Sequence, residues 1–214
     1  MFLRERTAFP VVLYGLYLVF LGLSFRAVSS ALRPFVLRSH VAVWKWAQRL
    51  PCLRKLYTYR CRVSLFLVDE TAVMVGGFPA WVWMAYEPFS RRILGLWLSW
   101  TRNSLQAEKF LKTLVRLYGR HPVWTDGAPW YSDACRSLGL EHYRYRFGEW
   151  LHTVMERAIQ SLKDRVECFD DNFPCSKKGC SLQHVRRWLK LYQLLSQPEN
   201  QRIIQNIRGV IKMV

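Results

Sequence analysis

The chain has 214 residues, about half of them apolar, which suffices for one substantial domain plus a small one and argues against wholesale disorder. Lys and Arg outnumber Asp and Glu by 32 to 15, and the net charge of +17 points to a polyanionic partner, either nucleic acid or an anionic membrane surface. Ten Trp and ten Tyr interleave with the basic residues, which favours nucleic acid, and six scattered cysteines are too few for a disulfide scaffold.

Ala8 to Phe25 is the first notable stretch, eighteen residues without a charge, preceded by Arg4 and Arg6. A membrane helix needs about 20 apolar residues, and a signal peptide a shorter apolar run after a positive start, so both readings stand. Pro10, Tyr14, Gly15, Tyr17, Gly22 and Ser24 dilute the run, however. A short helical pattern follows at 25–32 and is broken by Arg33-Pro34. Ser39 then serves as an N-cap for a helix that carries Val41, Trp44 and Ala47 at helical spacing. Helix, short helix, turn and basic helix is the outline of a helix-turn-helix DNA reader, assigned to residues 1–55. In that reading Arg38, His40, Lys45 and Gln48 face the groove. The alternative is a basic protein anchored in the membrane by residues 8–25.

Residues 62–75 read as a long strand rich in β-branched and large apolar side chains, ended by Gly76-Gly77. It carries two acids in its middle, Asp69 and Glu70, which alternation sends to opposite faces. A buried carboxylate without a partner costs several kcal/mol (roughly) or shifts its pKa, so a cation is expected for at least one of them. A second strand at 78–87 is joined as a hairpin, and a third spans 92–100. The period then changes: Ala107, Phe110, Leu111, Leu114, Val115 and Tyr118 share one helical face, with Ser104 as N-cap and Gly119 as terminator. A short strand ends at Asp126, a helix runs to about Leu138, a fifth strand lies around 142–145, and a long helix spans 149–167.

The resulting order, βββαβαβα, is that of the ribonuclease-H-like fold. The expected class is α/β, a mixed five-stranded sheet with flanking helices over residues 56–170, preceded by a small all-α domain and followed by a helical extension, 171–214. In this topology the first and fourth strands are neighbours, which brings Asp69 close to Asp126. Glu156, on the following long helix, supplies a third carboxylate. Three such acids suit one or two Mg²⁺ (or Mn²⁺) ions, because hard cations take oxygen ligands and paired ions serve phosphoryl transfer. Each acid also has a plain alternative. Asp126 before Gly127 fits a turn, Glu156 fits a surface pair with Arg157 or Lys163, and Glu149 competes for the third place because 149, 156 and 163 share one helical face. Glu70 is read as a structural or supporting residue.

Val68-Asp69-Glu70-Thr71, Thr125-Asp126-Gly127-Ala128-Pro129-Trp130-Tyr131 and the run from Met155-Glu156-Arg157 to Lys163-Asp164-Arg165 resemble the three acidic blocks of DDE-type insertion-sequence transposases. The similarity is greatest to the archaeal branch of the insertion-sequence-six group and extends from about Leu23 to Tyr192. It implies that Asp69, Asp126 and Glu156 are the metal-binding triad and that Lys163 contacts the DNA end. It further implies cleavage at transposon ends, attack of the freed 3′-hydroxyl on target DNA, and cointegrate formation. The implied partners are terminal inverted repeats, target DNA and further copies of the chain, in the cytoplasm at the nucleoid. The thirty-residue interval from Asp126 to Glu156 is shorter than in many bacterial relatives, which keeps Glu149 in contention. An inactive remnant that only binds DNA is a further alternative.

Near the C-terminus, Cys168, Cys175, Cys180 and His184 form a Cys-x6-Cys-x4-Cys-x3-His series. Zinc accepts such ligands, but the spacing lacks a tight Cys-x2-Cys, so a Cys175–Cys180 disulfide and unlinked thiols stay open beside it. The helix at 182–195 puts Val185, Trp188, Leu189, Tyr192 and Leu195 on one face and Arg186, Arg187 and Lys190 off it.

Overall fold

The computed structural model describes residues 7–49, 62–170 and 181–206, with the last six residues of the middle stretch described by backbone alone. Three helices come first: α1 (Phe9–Phe20), α2 (Phe25–Ala31) and α3 (His40–Arg49). The core unit follows as β1 (Phe66–Val75), β2 (Phe78–Glu87), β3 (Arg92–Ser99), α4 (Ser104–Tyr118), β4 (Val123–Thr125), α5 (Pro129–Leu138), β5 (His142–Arg144) and α6 (Trp150–Asp170). Two further helices, α7 (Leu182–Leu195) and α8 (Pro198–Gln205), complete the described chain.

The five strands form one sheet in the order β3-β2-β1-β4-β5. β1, β2 and β3 are an antiparallel meander, whereas β4 and β5 join it in parallel. This is the expected ribonuclease-H-like arrangement. Gly76 and Gly77, both at positive φ, make the two-residue β1–β2 turn that side chains resist. Phe66 pairs with Val123 and Leu67 with Trp124, so two residues further along each chain Asp69 and Asp126 lie at matching positions.

Each face of the sheet has its own core. Phe66 and Val68 of β1 pack with Phe110, Leu111 and Leu114 of α4 and with Tyr131 and Ala134 of α5. Leu67, Val73 and Val75 face the other way, into a cluster with Met155, Ile159 and Leu162 of α6 and with the buried side of α7. The alternation that sorts these apolar residues also sorts the acids: Asp69 belongs to the α6 face and Glu70 to the α4/α5 face.

The apolar stretch at the N-terminus is protein core. Leu13 and Leu16 of α1 are fully buried, α1 packs against α3, α7 and α8, and Phe20 stacks on Trp188 with ring centroids 5.9 Å apart. Among the described residues no helix is long and apolar enough to cross a membrane, so the anchor at 8–25 is not favoured. Trp188, Leu189 and Tyr192 of α7 are buried as the spacing predicts. α7 also hydrogen-bonds to the sheet edge, where Gln193 donates to the carbonyls of Ile93 and Leu94.

Two local details differ from the sequence reading. The α4 N-cap is Asn103, whose side chain accepts from the Gln106 backbone N–H, and not Ser104. On α3 the buried stripe is Val43 and Trp46, while Val41 and Trp44 are exposed. The expected boundaries at 55/56 and 170/171 fall within or at the edge of the undescribed stretches.

Candidate active site

Asp69 sits in the middle of β1, partly buried, with its Oδ1 accepting from the backbone N–H of Glu70 at 2.8 Å. Burial drives its pKa up to about 7, and the neighbouring charges of Glu70 and Asp126 push the same way, against the Glu70 N–H and the Lys163 ammonium. It is a carboxyl group with too little positive charge around it.

Asp126 lies one residue beyond β4 and is exposed. Its Oδ1 accepts from the Ala128 backbone N–H at 2.9 Å, so it does serve the turn into α5 while standing beside Asp69. The turn requires a glycine: Gly127 has φ +91°, and a Cβ there would come within 2.5 Å of the Arg144 side chain. Thr125, fully buried, supports the loop from below, since its Oγ1 accepts from Gly127 N–H at 3.0 Å and lies 2.8 Å from His142 Nε2.

The third acid comes from α6. Glu156 lines an open groove of about 480 Å³ together with Asp69, Glu70, Thr71, Arg157 and Lys163. It is exposed, and its Oε1 lies 3.4 Å from His152 Nε2 one turn earlier. Glu149 is outside that lining, and its Oε2 accepts from the Arg146 backbone N–H at 2.9 Å. Among the described residues no three His, Cys, Asp or Glu side chains are gathered closely enough to hold a metal ion as they stand. The donor chemistry nevertheless fits a hard cation: the facing groups are carboxylates, one of them undercompensated, and among the described residues the exposed Glu156 carboxylate is paired with His152.

Glu70, read from the sequence as a structural or supporting residue, is held within the fold. Its side chain is 3% exposed and has its own cation, Arg102, with Nη1 3.5 Å from Oε1, and it accepts a short hydrogen bond from the Tyr131 hydroxyl. Burial nonetheless keeps its pKa above the usual carboxylate range, outweighing Tyr131 and Arg102. The Arg102 guanidinium lies over two indoles, 4.1 Å from the Trp81 ring centre and 4.5 Å from that of Trp130. The only forewarning in the sequence was an acid on the face opposite Asp69.

The candidate DNA-facing residues separate into two kinds. His40 and Lys45 are exposed on α3. Arg38 Nε donates to Thr7 Oγ1 at 2.6 Å, and Gln48 Oε1 accepts from Arg187 at 3.0 Å, so both have roles within the fold. Lys163 is exposed on the groove wall, two turns along α6 from Glu156. Of the cysteine–histidine series only His184 is described, in the first turn of α7; Cys168, Cys175 and Cys180 lie outside the described side chains.

A parallel β1–β4 pair with aspartates at matching positions, flanked by a carboxylate-bearing helix, defines a polynucleotidyl-transferase core of the ribonuclease-H-like class. Residues 63–176, just over half of the chain, match the family described as the DDE domain. The chain belongs to this family, the DDE transposases, and is an enzyme of DNA transposition. It is 30% identical over 195 residues to the uncharacterized protein MJ0017 of Methanocaldococcus jannaschii, across 91% of this chain and 88% of the relative. Solved structures with some likeness include a simian T-cell lymphotropic virus intasome bound to a PP2A regulatory subunit, at 15% identity and TM-score 0.49. The match covers 77% of this chain and 63% of that one. The catalytic core domain of BIV integrase gives 19% identity and TM-score 0.44, covering 61% and 82% respectively. The magnesium complex of the HTLV-2 integrase core gives 14% identity and TM-score 0.47, covering 62% and 85%.

Proposed function

We propose that this chain binds the terminal inverted repeats of an insertion element, hydrolyses a phosphodiester at each end and joins the freed 3′-hydroxyl to target DNA. The observation that carries the reading is the undercompensated Asp69 beside Asp126, on a groove that Glu156 also lines. Asp69, Asp126 and Glu156 would hold Mg²⁺ or Mn²⁺, Glu156 turning from His152 toward the groove. Bound there, the cation supplies Lewis acidity and lowers the pKa of attacking water. The Gly127 turn and the β1–β4 pairing fix the two aspartates on rigid backbone, so little reorganisation accompanies reaction. Lys163 offers its ammonium to the phosphate backbone along the groove wall, where it positions the DNA end without reading sequence.

The N-terminal helices are the proposed end reader, with His40 and Lys45 directed at DNA and Arg38 and Gln48 holding the reader in place. An element has two ends, so the working form is an oligomer on DNA, and the place of action is the nucleoid. The β1 to α6 unit is the proposed catalytic domain and α7–α8 its brace to the reader.

The test uses the full chain with labelled terminal-repeat duplexes and Mg²⁺. Cleavage that leaves a 3′-hydroxyl, followed by strand-transfer product, is expected. Asp69→Asn, Asp126→Asn and Glu156→Gln should each lower both steps by roughly three orders of magnitude. Binding in a mobility-shift assay should persist. Full activity in Glu156→Gln with loss in Glu149→Gln would transfer the third role to Glu149. Repeat binding without any cleavage by the natural sequence would identify an inactive remnant.

A further inference from the structure

Glu70 and Arg102 have no assignment in the cleavage reaction, yet they are among the most elaborately held polar groups in the described chain. A carboxylate 3% exposed is seldom kept inside a sheet unless paired, and this one has both a guanidinium and a phenol. The guanidinium is in turn held between Trp81 of β2 and Trp130 of α5. Arg suits that place because its planar group stacks on indole faces while its edge still reaches the carboxylate, which an ammonium does less well.

Both ends of this assembly are attached to the acids of the candidate site. Glu70 is the residue after Asp69, and its backbone N–H donates to Asp69 Oδ1. Anchoring the Glu70 side chain on the α4/α5 face therefore fixes the amide that orients Asp69 on the α6 face. Trp130 and Tyr131 stand in the first turn of α5, immediately after the Asp126–Ala128 turn. Arg102, in the β3–α4 connection, thus joins the strand bearing one aspartate to the loop bearing the other.

We propose that Glu70, Arg102, Trp81 and Trp130 form a clamp that sets the two aspartates relative to each other from the opposite face of the sheet. All four are positioning residues; of them only Glu70 is among the residues that line the groove. The proposal rests on the reading of Asp69 and Asp126 as cation ligands. It adds that the spacing between them is set by a stacked guanidinium and not by the sheet alone.

The test measures Mn²⁺ binding to the full chain by electron paramagnetic resonance, without DNA, alongside thermal unfolding. Arg102→Ala, Arg102→Lys and Glu70→Gln are compared with Asp69→Asn. Arg120→Ala is the structural control, because Arg120 also braces the α4–α5 region, through the carbonyls of Leu138 and Gly139, but away from the acids. Arg102→Ala should weaken Mn²⁺ binding by about tenfold or more, as loss of groups that orient ligands does. Arg102→Lys should recover only part of that loss, and Arg120→Ala should leave binding unchanged at a comparable change in unfolding temperature. Should Arg102→Ala not fold, Glu70→Gln, which preserves volume and can still bond to Tyr131, is expected to lower affinity by itself. Natural Mn²⁺ affinity in Arg102→Lys and Glu70→Gln, with affinity lost in Asp69→Asn, would overturn the clamp and leave the metal site standing. No Asp69-dependent Mn²⁺ binding in the natural sequence would overturn both.

Discussion

Asp69 and Glu70 are adjacent in sequence and lie on opposite faces of the sheet, yet they are joined by a hydrogen bond from the Glu70 N–H to Asp69 Oδ1. Both residues border the groove, but the Glu70 side chain is buried against Arg102 and Tyr131. Two consecutive acids in a strand are electrostatically costly, and here the cost is divided. Glu70 has Arg102 and Tyr131, which offset its burial only in part, and Asp69 is left for a partner from outside.

That imbalance makes the metal-free protein pH-sensitive in a definite direction. Asp69 titrates near pH 7 when folded, against an ordinary value of 3.8. The folded state therefore holds a proton that the unfolded state has released between about pH 4 and pH 7, and stability falls as pH rises through that window. Above pH 7 the full penalty is present, at most roughly 4 kcal/mol from the size of the shift. Asp69→Asn should consequently be more stable than the natural sequence in EDTA at pH 8, with the gap narrowing toward pH 5. Urea unfolding at pH 5, 6.5 and 8 checks this, and a pH-independent gap would contradict it. Because a cation must displace that proton, Mn²⁺ affinity should also decline below pH 7.

Gly127 and Gly77 both have positive φ, but only Gly127 has a neighbour where a Cβ would stand, the Arg144 side chain. Gly77→Ala and Gly127→Ala should each cost about 1–3 kcal/mol in backbone strain. Arg144 is flexible and can move aside, so the stability costs should be similar. Strand transfer should be lost preferentially in Gly127→Ala, because that turn carries Asp126. Comparing urea midpoints with strand-transfer rates for the two variants separates the effects, and equal activity would argue against a role for the turn geometry.

The fold was legible because its signals are local and agree with one another. Alternating apolar runs, the Gly76-Gly77 turn and the change of period at Ser104 determine the order of elements, and that order makes β1 and β4 neighbours. The Asp69–Asp126 juxtaposition follows from topology alone. The clamp was not legible, since Glu70 meets Arg102 and Tyr131 across 32 and 61 residues and no short pattern records such a meeting. The α3 face was misread for a different reason. Val41/Trp44 and Val43/Trp46 are both apolar pairs at i, i+3, and periodicity cannot choose between them. Packing does: the Trp46 ring lies against Gly15 of α1, where the missing side chain leaves room for it.

The reader assignment now separates exposed from engaged residues. Lys45→Ala should reduce the slope of log K against log salt for terminal-repeat binding by roughly one, the signature of one lost phosphate contact. Gln48→Ala should act differently: it removes the acceptor for Arg187 and loosens α3 from α7, lowering stability without changing the slope. Fluorescence anisotropy at several salt concentrations distinguishes them. An unchanged slope in Lys45→Ala would remove that residue from the interface.

α1 is too short to span a bilayer and is buried in protein. Twelve helical residues span about 18 Å, well short of a hydrocarbon core of about 30 Å. Leu16 is fully enclosed by protein on a helix packed against α3, α7 and α8. Truncating it removes transfer energy and leaves a cavity, so Leu16→Ala should lower unfolding stability by about 2–5 kcal/mol. In a lipid-facing helix the same change would barely alter the stability of the remaining domain. The natural protein should also leave a nucleic-acid-containing pellet on salt washing alone, because phosphate contacts yield to salt and apolar insertion does not. Retention until detergent is added, together with a near-neutral Leu16→Ala, would restore the anchor reading that the packing of α1 opposes.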